Sequence, residues 1–563
     1  MQPFRDVLDE CHFMDLGFVG SQYTWHKHFV GYTVWERLDR AVATNEWFSL
    51  FPGTKVHHLD VTTLDHKPHL IAREGMDCHM KKPFRFEHMW MSDVCCSRTV
   101  EAVWREDSAE PWGTKIIKKV DKCGKELESW SRKNFGNVRR ELEKKRQLLV
   151  HAEKQAIRRG DPKRMRQLEK EINVLMDKEA KMWAQRSRVL WLKDGDKNTR
   201  FFHSKASQRR RRNYINGLFD DSGSWTTNPT WISTTILNFY QQLFTSSNSS
   251  GFETVLESIS KLVTDEMNDL LIVDFTSKEI ETALKQMAPL KSPGPDGMPP
   301  LFYQSYWSLL GEDIVQGVLE YLNSGSLPPS LCHSFINLIP KVKSPKYISE
   351  YRPISLSNVL YRILAKVLAN RLKKIMSQLI SKHQSAFMLD RLITNNILVA
   401  FETLHYMRNH CTGKTGFMAL KLDISKTYDR VEWVYMQQVL VKMGFHDCWV
   451  KLMMERITSA TYSVLINGEP HGHIIPTRGL HQGDPLSPYL FLMCTEGLHG
   501  IISSATSKDE IRGVSICRSE PRITHLLFAD DSLIFCRAKE FECQKLLDLL
   551  AIYEGASGHE KIY

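Results

Sequence analysis

No apolar run in this 563-residue chain approaches the ~18 residues that a membrane span requires, so no membrane partner is expected. Gln2-Pro3-Phe4-Arg5-Asp6 follows Met1 without the charged-then-apolar pattern of a secretory signal. The twelve cysteines are scattered, and only Cys95 and Cys96 are close neighbours. No Cys-x-x-Cys pair or Cys/His zinc spacing occurs, which argues against a zinc ribbon or a disulfide scaffold and reads as reduced intracellular thiols. No internal repeat is visible. What remains is ordinary globular composition, 42% hydrophobic and 25% charged, which speaks against wholesale disorder. At the usual ~150 residues per domain, the length allows roughly three or four domains.

Acidic residues are scarce in one place. Residues 115–212 hold 31 Lys and Arg against 13 Asp and Glu, a net +18 that leaves −8 on the rest of a chain totalling +10. One basic segment in an otherwise mildly acidic protein suits a polyanion partner. A solvated, charged helix fits the composition equally well.

Four zones differ in pattern. Residues 1–75 alternate apolar and polar positions between glycines, as strands and loops do. Residues 76–245 read as helical. Leu142, Leu148, Leu149, Ala152 and Ala156 lie near helical spacing, and Gly160-Asp161-Pro162 punctuates a helical hairpin. The serine-rich stretch 246–251 opens the third zone, 246–320, and reads as a flexible linker. The fourth, 321–563, mixes helices with short strands.

The fourth zone carries the chemistry. Phe417-Met418-Ala419-Leu420-Lys421-Leu422-Asp423-Ile424 alternates like a strand, with Met418, Leu420, Leu422 and Ile424 on one face and Asp423 on the other. Asp429 and Glu432 form a D-x-x-E capping pattern for a following helix, whose stripe Trp433, Met436, Leu440, Met443 ends at Gly444. Leu526-Leu527-Phe528-Ala529-Asp530-Asp531-Ser532-Leu533 puts two adjacent acids between apolar runs, as in a β-hairpin turn. Such acids repel unless something neutralises them, although Asp-Asp is also a fair solvated turn. The third element, Thr477-Arg478-Gly479-Leu480-His481-Gln482-Gly483-Asp484-Pro485-Leu486-Ser487-Pro488, is too unusual in its Gly, Gln and Pro placement for an ordinary loop.

In order and separation, these three elements resemble the palm motifs of reverse transcriptases. The resemblance runs over about 290–556. It includes Ser292-Pro293-Gly294-Pro295-Asp296-Gly297, Leu338-Ile339-Pro340-Lys341, Tyr351-Arg352-Pro353-Ile354-Ser355-Leu356 and His383-Gln384-Ser385-Ala386-Phe387. The pattern is most similar to the non-LTR, long-interspersed-element type found in plants. That resemblance implies that Asp423 and Asp530 hold divalent ions with Asp531 as third acid, the ions being two Mg2+ or Mn2+ in their place. It also implies that Lys341 and Arg352 grip the incoming triphosphate. Tyr428 would pack under the sugar and reject a 2′-hydroxyl, while Gln482 and Gly483 would line the nascent base pair. The implied partners are an RNA template, a DNA primer or target, and deoxynucleoside triphosphates. Thr427 and His481 depart from the family's usual Ala and Arg.

Residues 1–75 resemble the C-terminal part of an endonuclease/exonuclease/phosphatase domain through Asp15-Leu16-Gly17-Phe18, Tyr23-Thr24-Trp25, Glu36-Arg37-Leu38-Asp39-Arg40 and Asp65-His66. The resemblance implies that Asp39 orients His66 on a scissile phosphate, with Asp65 at a metal site. Leu64 replaces the usual Ser, and the fold's upstream metal ligand would have to precede Met1, so a remnant that does not cut DNA is expected. Likewise the chain is expected to stop short of a thumb. The basic zone carries Trp191-Leu192-Lys193-Asp194-Gly195-Asp196-Lys197-Asn198-Thr199-Arg200-Phe201-Phe202-His203 and the run Arg209-Arg210-Arg211-Arg212. Cations interleaved with aromatics suit single-stranded nucleic acid, though Trp191, Phe201 and Phe202 equally suit a core. The arginine run also reads as a nuclear localisation signal.

The expected fold class is therefore multidomain α+β. Right-hand polymerase fingers and palm would follow a helical basic connecting region and an incomplete α/β endonuclease remnant. The expected activity is RNA-directed DNA polymerase; the alternative is a degenerate, inactive element product that at most binds nucleic acid.

Overall fold

The computed structural model describes residues 7–8, 11, 13–18, 20–44, 47, 50–51, 53–59, 65–73, 83–106, 109–135, 137–159, 162–188, 199–220, 222–325, 327–389, 391–409, 416–516 and 522–562. The segment Trp191 to Asn198, Leu64, and Gly160 with Asp161 lie outside the described residues. Helix and sheet are mixed, and no helix of the described residues is long and apolar enough to cross a membrane.

The first zone builds three antiparallel pairs. Strand β1 (Met14–Asp15) pairs with β4 (Val42–Ala43), β2 (Trp25–Phe29) with β3 (Tyr32–Glu36), and β5 (Lys55–His58) with β6 (His69–Ala72). Its own core is small, with Met14, Leu16, Ala43 and Val56 buried together. The second zone is mainly helical as its periodicity requires, apart from the short antiparallel pair β7 (Leu218–Phe219) and β8 (Trp225–Thr226). Val138–Arg159 and Lys163–Ser187 form the hairpin, fastened by Arg139 to Glu179 at 3.0 Å and Lys145 to Glu171 at 2.6 Å. The basic residues thus spend part of their charge on the neighbouring helix.

One apolar core then runs across the zone boundaries at 245 and 320. Val100, Ile116 and Leu127 of the second zone pack in the same cluster as Phe302 and Leu310 of the third and Leu368 and Phe491 of the fourth. The serine-rich stretch is no free linker in this arrangement. The Ser246 hydroxyl donates to Glu432 at 2.6 Å, and the Ser247 amide and hydroxyl donate to the same carboxylate at 2.9 Å. Composition suggested flexibility, but a buried acid supplies acceptors that hold the serines. The same contact corrects the capping pattern at Asp429 and Glu432. The helix Trp433–Met443 has no side-chain cap, because Glu432 turns instead to the serines and to Arg478. Gly444 does end it, in the left-handed conformation.

Two four-stranded sheets frame the fourth zone. The first has the order β10-β9-β12-β13, from β9 (His333–Pro340), β10 (Tyr351–Leu356), β12 (Thr461–Ile466) and β13 (Glu469–Ile474), with β9 and β12 parallel. Alternate residues of β9 are buried, the period-two signature of a half-covered strand. The covering element comes from the second zone: Ile232, Ile236 and Tyr240 of helix Pro229–Leu243 pack with Ile336, Leu338 and Val464. The second sheet is antiparallel, in the order β14-β15-β11-β16, from β11 (Phe417–Ser425), β14 (His525–Phe528), β15 (Asp531–Arg537) and β16 (Glu560–Ile562). The helix Ser487–Ser507, largely buried along its length, packs between helices Trp433–Met443 and Glu540–Ser557.

Arg371 ties the third zone to the core. Its side chain is 3% exposed. Its guanidinium donates to both Glu279 oxygens, to the carbonyls of Leu271, Val273 and Asp274, and stacks 3.7 Å from the Phe275 ring centroid. Arg371→Met strands those acceptors and is expected to cost about 3–5 kcal/mol, read as a lowered urea midpoint. Arg371→Lys should recover little, since one ammonium cannot reproduce the planar fork. An unchanged midpoint in Arg371→Met would contradict this account.

Candidate active site

Strand β11 ends at the site. Leu422 is buried, while Lys421 and Asp423 are exposed on the opposite face, as the alternation predicts. The register sets Asp423 directly across from Asp531. Between β14 and β15 the chain turns at Ala529 and Asp530, with Ala529 in the left-handed region at φ 54°. The Ile424 amide reaches the Asp530 carbonyl at 3.4 Å. All three acids therefore gather at one end of the sheet. They do not converge on one point, since Asp531 turns to Lys421 with 3.2 Å between Nζ and Oδ1.

Asp530 feels this crowding. Burial, then the charges of Asp531 and Asp423, raise its carboxyl above the ordinary value, while Arg352 pulls it down. Arg352 is on β10, opposite Ile339 of β9, and Lys341 directly follows β9; both side chains are exposed. The charge of Lys341 is felt at Asp429, whose buried carboxyl is pushed up to about 7 by desolvation. Arg352 is thus brought to the acidic end of the sheet, while Lys341 is placed near Asp429 in the segment after β11.

The Gly-Gln-Pro loop links the segment that follows β11 to strand β10. The Leu480 amide donates to the Tyr428 carbonyl at 2.6 Å and the Gly479 amide to Val431 at 2.8 Å. Gly479 has φ 95°, and a Cβ there would lie 2.6 Å from the Asp429 carbonyl, so only glycine fits. Three residues on, the Gln482 carbonyl accepts from the Ser355 amide of β10 at 2.9 Å, and Gly483 lies beside Ile354 and Ser355. The Tyr428 ring packs 5.3 Å from Phe491, and its hydroxyl is pushed up to about 12 by burial and by Asp530. His481 is buried between Tyr361 and Tyr462, and desolvation holds it down at about 4, hence neutral.

One positioning residue carried no assigned role in the sequence. Gln384 is fully buried, and its Oε1 accepts from the Ala529 amide at 3.1 Å and from its own segment at Ala386, 3.0 Å. Around it the Leu527 amide donates to His383 at 2.8 Å and the Ser385 amide to Leu527 at 3.2 Å. The motif from His383 to Phe387 thus braces the turn bearing Asp530. Its polar core between apolar neighbours was the available signal.

In the first zone, His66 Nδ1 lies 2.7 Å from Asp39 Oδ2. Burial opposes ionisation of Asp39, but the hydrogen bonds from His66 and Thr24 win and hold it below the usual carboxylate range. Asp65 is exposed, with its carbonyl accepting from the His26 amide. Asp15 clamps Arg37 at 2.9 Å and Arg40 at 2.8 Å, which ties the two quoted motifs together. The four arginines of helix Thr199–Asn213 are not equivalent. Arg209, Arg210 and Arg212 are exposed, whereas Arg211 is partly buried against the Leu16 carbonyl and lowered to about 10 by burial. Phe202 is buried, so it belongs to a core rather than a stacking platform.

Paired acids thus stand at one end of the antiparallel sheet, Arg352 acts on Asp530 from β10, and a glycine-bearing loop links the segment after β11 to β10. Residues 339–554 match the family described as reverse transcriptase (RNA-dependent DNA polymerase). Over 370 residues the chain is 29% identical to the transposon TX1 uncharacterized 149 kDa protein of Xenopus laevis, covering 64% of this chain and 27% of that one. It is 26% identical over 264 residues to the Pol polyprotein of the type-2 retrotransposable element R2DM of Drosophila melanogaster, covering 46% and 24%. An uncharacterized mitochondrial protein of Arabidopsis thaliana is 53% identical over 68 residues, covering 12% of this chain and 56% of that protein. The chain thus spans about a quarter of the two longer relatives and about half of the third. Residues 339–554 thus resemble a reverse transcriptase domain, and the relatives that share this region include Pol polyproteins of R2 retrotransposable elements.

Proposed function

We propose that this chain extends a primer 3′-hydroxyl with deoxynucleotides on an RNA template, using Asp423, Asp530 and Asp531 at the end of the antiparallel sheet as the metal-holding acids. The observation that carries this reading is the Asp423–Asp531 register beside the Asp530 turn, with Arg352 acting on Asp530 from the other sheet. In this reading the antiparallel sheet is the palm and the mixed sheet the fingers. The donor set is all oxygen, and its mutual repulsion on Asp530 is what a hard cation relieves, so the residues fit Mg2+ or Mn2+. Bound there, the ions supply Lewis acidity at the attacking hydroxyl and at the leaving pyrophosphate. Lys341 and Arg352 hold the triphosphate, Arg352 with its bidentate fork. Gln482 and Gly483 shape the floor under the base pair, and Tyr428 sits below the sugar. Primer extension on an RNA template with Mg2+ and the four deoxynucleotides tests the reading; extension no greater than that of Asp423→Asn would leave a binding function only.

Tyr428→Ala removes bulk beneath the proposed sugar position, so ribonucleotide incorporation should rise about tenfold or more relative to deoxyribonucleotide. A ratio equal to wild type would place the discrimination elsewhere. The exposed Arg209, Arg210 and Arg212 offer phosphate contacts for the template, and the run can also direct the chain to the nucleus. Changing those three to Ala should flatten the log–log salt dependence of RNA binding by about two units, at ~0.7 per contact on a single strand. The same slope in wild type and variant would assign the arginines to a solvated face.

The first zone is proposed to be part of an endonuclease/exonuclease/phosphatase domain. The His66–Asp39 bond and the Asp15 clamp on Arg37 and Arg40 support it.

A further inference from the structure

Behind the catalytic turn, three histidines from three separate elements meet. His383 comes from the bracing segment, His499 from helix Ser487–Ser507, and His525 from the start of β14. Each offers one ring nitrogen, and the three nitrogens all lie within 4.8 Å of one another. His499 Nδ1 and His525 Nε2 are 2.8 Å apart, and the His383 and His525 rings stack at 4.4 Å between centroids. Among the described residues these histidines, not the three aspartates, form the trio with ligand atoms that close.

We propose that His383, His499 and His525 form a transition-metal site of the Zn2+ class, separate from the Mg2+ acids. Three imidazoles are the borderline nitrogen set that selects Zn2+, Co2+ or Ni2+ over Mg2+. Burial lowers all three, His499 to about 4, so the rings are neutral and carry lone pairs at physiological pH. The charge acting on His499 is that of His383, and those acting on His525 are those of His383 and His499, while the Arg391 guanidinium is taken up by the carbonyls of Ser381 and Gln384. His383 Nδ1 is buried without a hydrogen-bond partner, a cost that a protein seldom leaves uncompensated. Thr524 Oγ1 lies 2.9 Å from His525 Nδ1. If that nitrogen carries the ring proton, Nε2 presents its lone pair to the cluster, the outer-shell arrangement common to metal-binding histidines.

The geometry needs only small movement. Nitrogens about 2.0–2.1 Å from a tetrahedral Zn2+ stand roughly 3.3 Å apart. The 2.8 Å pair would part slightly and the widest pair would close by at most roughly 1.5 Å, which side-chain torsions can supply. Three protein ligands leave the fourth position to water. The consequence is mechanical. The ion would clamp the long helix and the His383 segment onto β14, the strand that leads into Ala529 and Asp530. The competing account is a hydrogen-bonded trio of neutral core histidines, which needs no ion.

The test uses the whole chain stripped with a chelator and dialysed, then titrated with Zn2+ against a chromophoric competitor. Wild type should bind one more Zn2+ per chain than His499→Ala or His383→Ala, or bind it at least tenfold more tightly. Zn2+ should also raise the melting temperature of wild type but not of those variants. His499→Cys keeps a ligand and should keep the binding, and with Co2+ it should add a thiolate charge-transfer band missing from wild type. Circular dichroism identifies any variant that fails to fold, in which case the half-buried His383 position decides. Equal Zn2+ stoichiometry and affinity in wild type and His383→Ala would overturn the proposal. So would loss of binding in a folded His499→Cys.

Discussion

Asp423→Asn and Asp530→Asn are each expected to slow primer extension by about 10³-fold or more, the equivalent of several kcal/mol of lost transition-state stabilisation. The substitution keeps shape and removes one charge, so a loss of that size reports ion binding and not collapse. Stability supplies the control, and its sign follows from the site. Asp530 is raised in the folded chain, so its contribution to stability is present at low pH and fades as pH rises through its folded value. At pH 8 the neutral Asn removes a penalty, and Asp530→Asn should melt no lower than wild type. Asp531→Asn should be the mildest of the three, because Asp531 already shares its charge with Lys421. Near-wild-type extension by Asp423→Asn or Asp530→Asn would remove the metal assignment altogether.

The parts of this molecule that rest on local chemistry were legible in its residues. The alternation of β11, the two acids at a turn and the stop at Gly444 are each decided within a few positions, and each stands as read. What could not be read depends on partners far away in sequence. Glu432 looks like a cap to its own helix, yet Arg478 and the serines at 246 and 247 claim it. Arg211 is one of four equal letters, and only the fold shows it leaning on Leu16 while its neighbours face water. The boundaries drawn from composition at 245 and 320 carry no information about the core that crosses them, since helix Pro229–Leu243 covers a sheet whose strands begin at His333. The histidine trio is the extreme case: His383 stands in a quoted motif without a role, His499 and His525 stand in none, and only the fold brings the three together.

Gln384→Met is expected to reduce extension about 10²-fold while leaving the KM for deoxynucleotides nearly unchanged. The split follows from where the residue acts. Gln384 is not on the sheet of the proposed triphosphate ligands; Arg352 is on β10 and Lys341 directly follows β9. What it holds is the Ala529 amide, at 3.1 Å, in a turn whose left-handed φ of 54° costs energy for a residue with a Cβ. Methionine keeps the volume but strands the buried Ala386 amide and the part-buried Ala529 amide, at up to about 1–3 kcal/mol each. The turn can relieve that cost by relaxing toward water, which carries Asp530 away from Asp423. A displacement near 1 Å is enough for a loss of this size. Two readouts separate positioning from simple destabilisation: the Mg2+ concentration for half-maximal rate should rise, and exchange of the Ala529 amide should quicken before the core amides of β11 do. Gln384→Glu restores an acceptor for both amides and should recover part of the rate. Wild-type extension by Gln384→Met, or a loss of rate with unaltered Mg2+ dependence, would show that the turn holds its own shape without this brace.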